Sequence, residues 1–411
     1  MNLSGLLPLV QTHPAYGRLA GAVARALQGP TPTLVAADDL LDAAKPYLLA
    51  ALAADPVLGE PARRLLVITG RPERARQLTA ALELYASPAT AVRRFPAPDL
   101  LPYERIAADP TILAGRLAVL EALAAPVATA GEGAPARPLI VASAMALVTP
   151  TIAPGDYTWA TRTLRAGDDV AMDDLLAHWV DLGYQPAAVV ESPGTFSRRG
   201  GIVDVWPPTG PQPVRLEFWG DTVESLRAFD PQTQRSSTAV PMLVVPPSCE
   251  LPLWRRHEVM SEVRAIPLAG LRAEVREEWE GLIGALEMGE ACEGRELFTP
   301  YFRDPAASLL DYLGPDDLVV VDGPEAVALA VAELERSAED LHSELVAGGE
   351  LPTGLRRPYL TWDEMQPVLE AHTRLTLGAL GDEAALPQPE FAPGHLYAGD
   401  IPRVIEDVQA A

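Results

Sequence analysis

Through the first 150 residues, short apolar runs alternate with longer stretches of helical periodicity. Leu65-Leu66-Val67-Ile68-Thr69 reads as a buried strand, followed by Gly70 and a helix-like run from Glu73 to Tyr85. Pro138-Leu139-Ile140-Val141-Ala142 is a second such strand and Thr33-Leu34-Val35-Ala36 a third, with an amphipathic helix from Ile112 to Leu123 between them. Apolar strands alternating with helices predict a parallel sheet covered by helices. The pattern changes over residues 151–237. After a helix from Met172 to Gly183 come three segments of period two: Gly201 to Pro207, Pro213 to Trp219 and Thr222 to Phe229. Turns at Pro207-Pro208-Thr209-Gly210 and Gly220-Asp221 join them, and connections this short predict an antiparallel meander. Residues 238–385 return to helices, with a stripe at Leu271, Val275, Trp279, Leu282 and Leu286, and one strong strand from Asp317 to Asp322. The last stretch, 386–411, is rich in Pro and Gly and reads as a linker.

Charge and composition narrow the classes. A chain of 411 residues holds two or three domains, and 48% hydrophobic residues fits folded rather than disordered chain. Acids outnumber bases 56 to 32, a net charge of −24. That disfavours the chain as a duplex binder, since duplex binding rests on cations neutralising phosphates. Lys45 is the only lysine, so any chemistry needing an amine must use it. Cys249 and Cys292 lie far apart without a C-x-x-C partner, which argues against a disulfide framework and a thiolate zinc site. The N-terminus has no basic run, and no apolar stretch reaches the ~18 residues of a membrane span. A cytoplasmic protein is expected.

A sheet-and-helix domain whose strand ends in Asp322 suggests a nucleotide-binding ATPase, and the motifs argue against an active one. A phosphate loop needs glycines followed by Lys and Ser or Thr, so that backbone N–H groups and an amine grip the phosphates. Lys45 is followed by Pro46 and has no glycine loop before it. The metal-side motif would end its strand in two acids; here Asp322 is followed by Gly323 and Pro324. His257-Glu258 opens a zincin-like pattern, but Ser261 stands at the second His position. No catalytic residue, metal or cofactor is expected, and Asp322 is at most the remnant of a nucleotide site.

The most distinctive stretch lies between Glu191 and Arg235. With a period of two, Val214, Leu216 and Phe218 fall on one face of a strand, and Arg215, Glu217 and Trp219 on the other. The apolar set faces a core, which leaves a cation, an anion and a large aromatic in a row towards solvent. Arg199 precedes the neighbouring strand at Gly200-Gly201, where a sharp turn or bulge lets it reach the same face. An aromatic anchor beside arginines has the composition of a protein-binding hot spot. The bland alternative is a solvated face, with Trp219 capping the edge of the core.

The run from Pro193 to Pro207, with Arg215 to Asp230 and Pro231-Gln232-Thr233-Gln234-Arg235-Ser236, resembles the bacterial transcription-repair coupling factors. Leu101-Pro102-Tyr103-Glu104, Gly115 to Leu120 and Ser308 to Leu313 are similar to the same family. The resemblance implies a module homologous to the excision-repair protein UvrB. Its fold would be α/β: a degenerate P-loop-ATPase-like (RecA-like) parallel sheet domain split into 1–150 and 238–385, with an inserted small α+β domain at 151–237 carrying an antiparallel sheet. It also implies that the inserted domain recruits UvrA through Arg199, Arg215 and Trp219, with Glu217 matching an acid common to that surface. By the resemblance, relatives usually carry Phe where Trp219 stands, and commonly a basic residue where this chain has Gln185 or Pro186. By the same resemblance, RNA polymerase and DNA are partners of the parent protein through other domains. The UvrA surface would be masked by the C-terminal part of the resting parent. ATPase or helicase activity in this module, and direct binding of damaged DNA, are the competing expectations.

Overall fold

In the computed structural model the described residues are 2–37, 40–56, 63–106, 109–125, 137–303 and 306–378; the linker expected at 386–411 lies outside them. The four predicted apolar runs, joined by two strands that the sequence pattern did not mark, Thr90–Phe95 and Thr373–Leu377, form a six-stranded sheet in which every neighbouring pair is parallel. Its strands are β1 (Leu34–Ala37), β2 (Leu65–Thr69), β3 (Thr90–Phe95) and β4 (Arg137–Ser143) from the first part of the chain. Two more, β13 (Leu318–Asp322) and β14 (Thr373–Leu377), return from the last part to lie in the order β1-β14-β13-β2-β4-β3. Alternate residues enter different cores. Leu66, Ile68, Ile140, Val319 and Val321 join one cluster, while Leu65, Val67, Leu139, Val320 and Leu375 join the other. Burial on both faces is why the central strands β2 and β13 lack polar alternation.

Between the two halves of that sheet lies a second unit. A two-stranded ribbon of β5 (Arg162–Leu164) with β12 (Leu243–Val245) brings its entry and exit together. Within it, β6 (Gln185–Pro186), β7 (Thr195–Arg199), β8 (Ile202–Trp206), β9 (Val214–Trp219), β10 (Thr222–Phe229) and β11 (Ser236–Ala239) run consecutively across a sheet. All neighbours are antiparallel except β6 and β7. The helix Met172–Asp181 lays Leu175 and Trp179 on one face, against Phe196, Val203, Leu216 and Leu226. Gly183 follows that helix at φ +90°, and a Cβ there would lie 2.7 Å from Cys249 Sγ, so the close approach requires glycine.

Two sequence expectations need correction. The meander has more than three strands, because polar segments such as Ser236–Ala239 pair at the sheet edge without a buried face to mark them. The boundary at 237 falls inside β11 and leaves out β12, whose Leu243 and Val245 belong to the small unit's core. At the other end, Ile152 and Tyr157 pack into the large unit's core, so the small unit begins nearer Arg162 than residue 151. The apolar residues on both sides of each boundary look alike in sequence; their partners decide the assignment.

Candidate functional site

The outer face of the small sheet gathers the residues singled out in the sequence. Arg199 is the last residue of β7 rather than a residue ahead of β8, and Gly200 at φ +62° turns the chain into Ile202, its cross-strand partner. Ile202 in turn pairs with Glu217, and Asp204 with Arg215. Paired residues share a face, so Arg199, Ile202, Asp204, Arg215 and Glu217 form one surface with Trp219 at its end. Trp219 is 81% exposed, far too open to be capping a core.

At the centre is a residue that periodicity alone did not single out. Asp204 is 1% exposed, and both its oxygens are occupied. Arg215 Nε donates to Oδ1 at 2.7 Å and Arg215 Nη2 to Oδ2 at 2.9 Å; Arg199 Nη2 donates to Oδ2 at 2.9 Å. The signal was present in the sequence as one acid in the otherwise apolar run Ile202-Val203-Asp204-Val205-Trp206. A carboxylate held at such a position requires cations, because a buried charge is tolerated only when paired.

The two arginines differ in what they have left to offer. Arg215 Nη1 also donates to Gln234 O at 3.2 Å and Ser236 Oγ at 3.3 Å, and its guanidinium lies 4.8 Å from the centre of the buried Phe229 ring. Four of its five N–H groups are therefore spent within the fold, and its side chain is 14% exposed. Hydrogen bonding to Asp204 pushes its pKa further up, against the opposing effect of burial. The sequence pointed to Arg215 as a solvent-facing cation; its bidentate partner is instead the internal Asp204. Arg199 is 51% exposed and spends one N–H on Asp204. Glu217 accepts from Ser225 Oγ at 2.7 Å. Arg227, cross-strand from Arg215 on β10, is exposed and makes no ion pair among the described residues.

At the carboxyl edge of the parallel sheet, Asp322 ends β13 and meets the chain's only lysine. Lys45, the first residue of the helix Lys45–Ala53, donates to Asp322 Oδ1 at 2.6 Å, and Arg74 Nε donates to Oδ2 at 2.9 Å. Asp42 joins both cations, at 2.8 Å from Lys45 Nζ and 3.4 Å from Arg74 Nη2; the Lys45 hydrogen bond holds its carboxyl below the usual range. These residues line a cavity of about 330 Å³ beside Gly70, where a Cβ would lie 2.7 Å from Ala326 O. The sequence treated Lys45 and Asp322 separately, and 277 positions separate them. Among the described residues no group of three or more His, Cys, Asp or Glu is disposed to hold a metal, and no helix is long and apolar enough to cross a membrane.

Comparison with known proteins agrees with this division. Residues 163–250 match the family model of the UvrB interaction domain, nearly the span enclosed by the β5–β12 ribbon. The transcription-repair-coupling factor of Myxococcus xanthus is 31% identical over 331 residues, covering 78% of this chain and 26% of that protein. Those of Bacillus subtilis (27% over 277 residues, 64% of this chain and 22% of that protein) and Mycobacterium tuberculosis (31% over 285 residues, 67% and 22%) are similar over shorter spans. The chain spans about a quarter of the length of these relatives. Residues 163–250 are thus similar to the UvrB interaction domain family, within a chain similar over most of its length to the transcription-repair-coupling factors.

Proposed function

We propose that this chain is the recruitment module of a transcription-repair coupling protein, and that the outer face of its small sheet docks the damage-recognition protein UvrA. One observation carries the reading: Trp219 stands exposed on a regular sheet, beside arginines whose positions a buried carboxylate fixes. Rigid aromatic and arginine anchors supply most of the energy of a typical protein interface. The coupling-factor relatives supply the context of repair at a stalled RNA polymerase. RNA polymerase and DNA are partners of the longer protein, and the rest of that protein would mask the docking face at rest. The test is affinity for purified UvrA of the wild-type chain and of Arg199→Ala, Arg215→Ala and Trp219→Ala. Loss of binding in Trp219→Ala and Arg199→Ala is expected, and wild-type affinity in all three variants would sink the assignment.

The module is proposed to work without nucleotide hydrolysis, as a degenerate RecA-like body. A phosphate entering the cavity beside Gly70 would have to displace Asp322 or Asp42 from Lys45 and Arg74, which are already neutralised. ATP turnover by the purified chain that disappears in Asp322→Ala would favour the enzymatic alternative. The charge of −24 disfavours direct binding of damaged DNA, which salt-steep, sub-micromolar retention in a mobility-shift assay would restore.

A further inference from the structure

We infer that the docking face is wider than the residues expected from the sequence, with Arg199 and Arg227 as its partner-facing cations, Trp219 and Ile202 as its apolar contacts, and Asp204 as a positioning residue. This rests on the docking role proposed above and specifies its chemistry. Arg227 is the cross-strand partner of Arg215, an adverse placement for two like charges lying opposite each other. Arg215 is neutralised by Asp204 from the other side, while Arg227 is exposed and has no counter-ion among the described residues. Arg227 therefore offers a whole guanidinium, and Arg199 offers the N–H groups that Asp204 leaves unused. Trp219 lies four residues along β9 from Arg215, about 13 Å at the usual strand rise, so the cations and the indole spread across several strands. Ile202, 36% exposed, adds an apolar step between Arg199 and Glu217.

The partner that fits is an acidic protein surface with carboxylates for Arg199 and Arg227 and an apolar recess for the indole. The face is locally cationic, with Arg199, Arg215 and Arg227 against Asp204 and Glu217, in a chain whose net charge is −24. That contrast orients an acidic partner towards this face and away from the rest of the molecule. Asp204 is too buried to touch a partner and acts through the two arginines it holds.

Affinity of the full chain for UvrA tests both levels. Arg227→Glu is expected to weaken binding by about tenfold or more, with Arg227→Lys retaining most of the affinity and the unfolding midpoint of each unchanged. Asp204→Asn is expected to weaken binding by about tenfold in the wild-type background. It should add less than about twofold where Arg199 and Arg215 are already alanine, whereas a merely structural role would lower affinity equally in both backgrounds. Wild-type affinity in Arg227→Glu, with Trp219→Ala defective, overturns this inference and leaves the docking role standing. Wild-type affinity in Trp219→Ala and Arg199→Ala removes the docking role itself. Should Asp204→Asn unfold the small domain, the exposed Arg227 variants still decide.

Discussion

Arg199 and Arg215 carry the same charge on neighbouring parts of one sheet, and their hydrogen bonds assign them different work. Arg215 is bound to Asp204, Gln234, Ser236 and the face of Phe229, so removing it leaves a carboxylate that is 1% exposed with only Arg199 on one oxygen. Arg215→Ala is expected to lower unfolding stability by about 2 kcal/mol or more, as loss of one partner of a buried ion pair does, with UvrA affinity falling as a consequence. Chemical denaturation beside a binding curve separates the two effects. Trp219→Ala should behave oppositely. At 81% exposure the indole contributes little to the fold, so stability should stay within about 0.5 kcal/mol. Affinity should drop by about 2 kcal/mol, roughly 30-fold. A large stability loss in Trp219→Ala would mean that the side chain packs against its own domain.

Among the elements, the join between the first and last parts of the chain turns on strand ends. β13 and β14 sit between β1 and β2 in the parallel sheet, so residues beyond 317 complete a sheet begun before residue 70. Lys45 reaches from the start of its helix to Asp322 at the end of β13, and only Arg74 would remain on that carboxylate's other oxygen if the lysine were lost. Lys45→Met is expected to cost about 2 kcal/mol of stability because Asp322 is left under-compensated in a buried position. Lys45→Met/Asp322→Leu should recover part of that loss, since an apolar pair of similar volume replaces a buried ion pair at little cost. Thermal melts of the single and double variants measure the recovery. A double variant no more stable than Lys45→Met would show that the ion pair is not what holds these ends together.

For the whole molecule, the small unit has its own core of residues such as Trp179, Tyr184, Leu216 and Leu226. Trp254 packs against both that core and the large unit's. Two histidines, His178 half-buried and His372 buried, give the molecule an acid limit. Among the described residues, His178 Nε2 and His372 Nδ1 are buried without a hydrogen-bond partner. Burial pushes both pKa values below the usual imidazole value. The native state therefore resists protonation that the unfolded chain accepts from about pH 6.5 downward. Stability contributed by the neutral rings is complete above that pH and is lost as pH falls towards the depressed native values. Unfolding midpoints are expected to fall between pH 7.5 and 5.5, with a shallower fall in the double variant His178→Asn/His372→Asn. An unchanged slope in that variant would assign the acid sensitivity to other groups.

The central strands were legible as strands because both their faces are buried, which makes Leu65–Thr69 and Leu318–Asp322 unbroken apolar runs. The face carrying Arg215, Glu217 and Trp219 was legible for the complementary reason: one side of β9 is buried, and a period of two then fixes where every side chain points. Edge strands with no buried face, such as Ser236–Ala239, left no such trace. The pairing of Lys45 with Asp322, the burial of Asp204 and the freedom of Arg227 belonged to the tertiary structure alone. Periodicity reports the direction of a side chain relative to its own backbone, whereas the partner it meets depends on which distant strand is laid beside it.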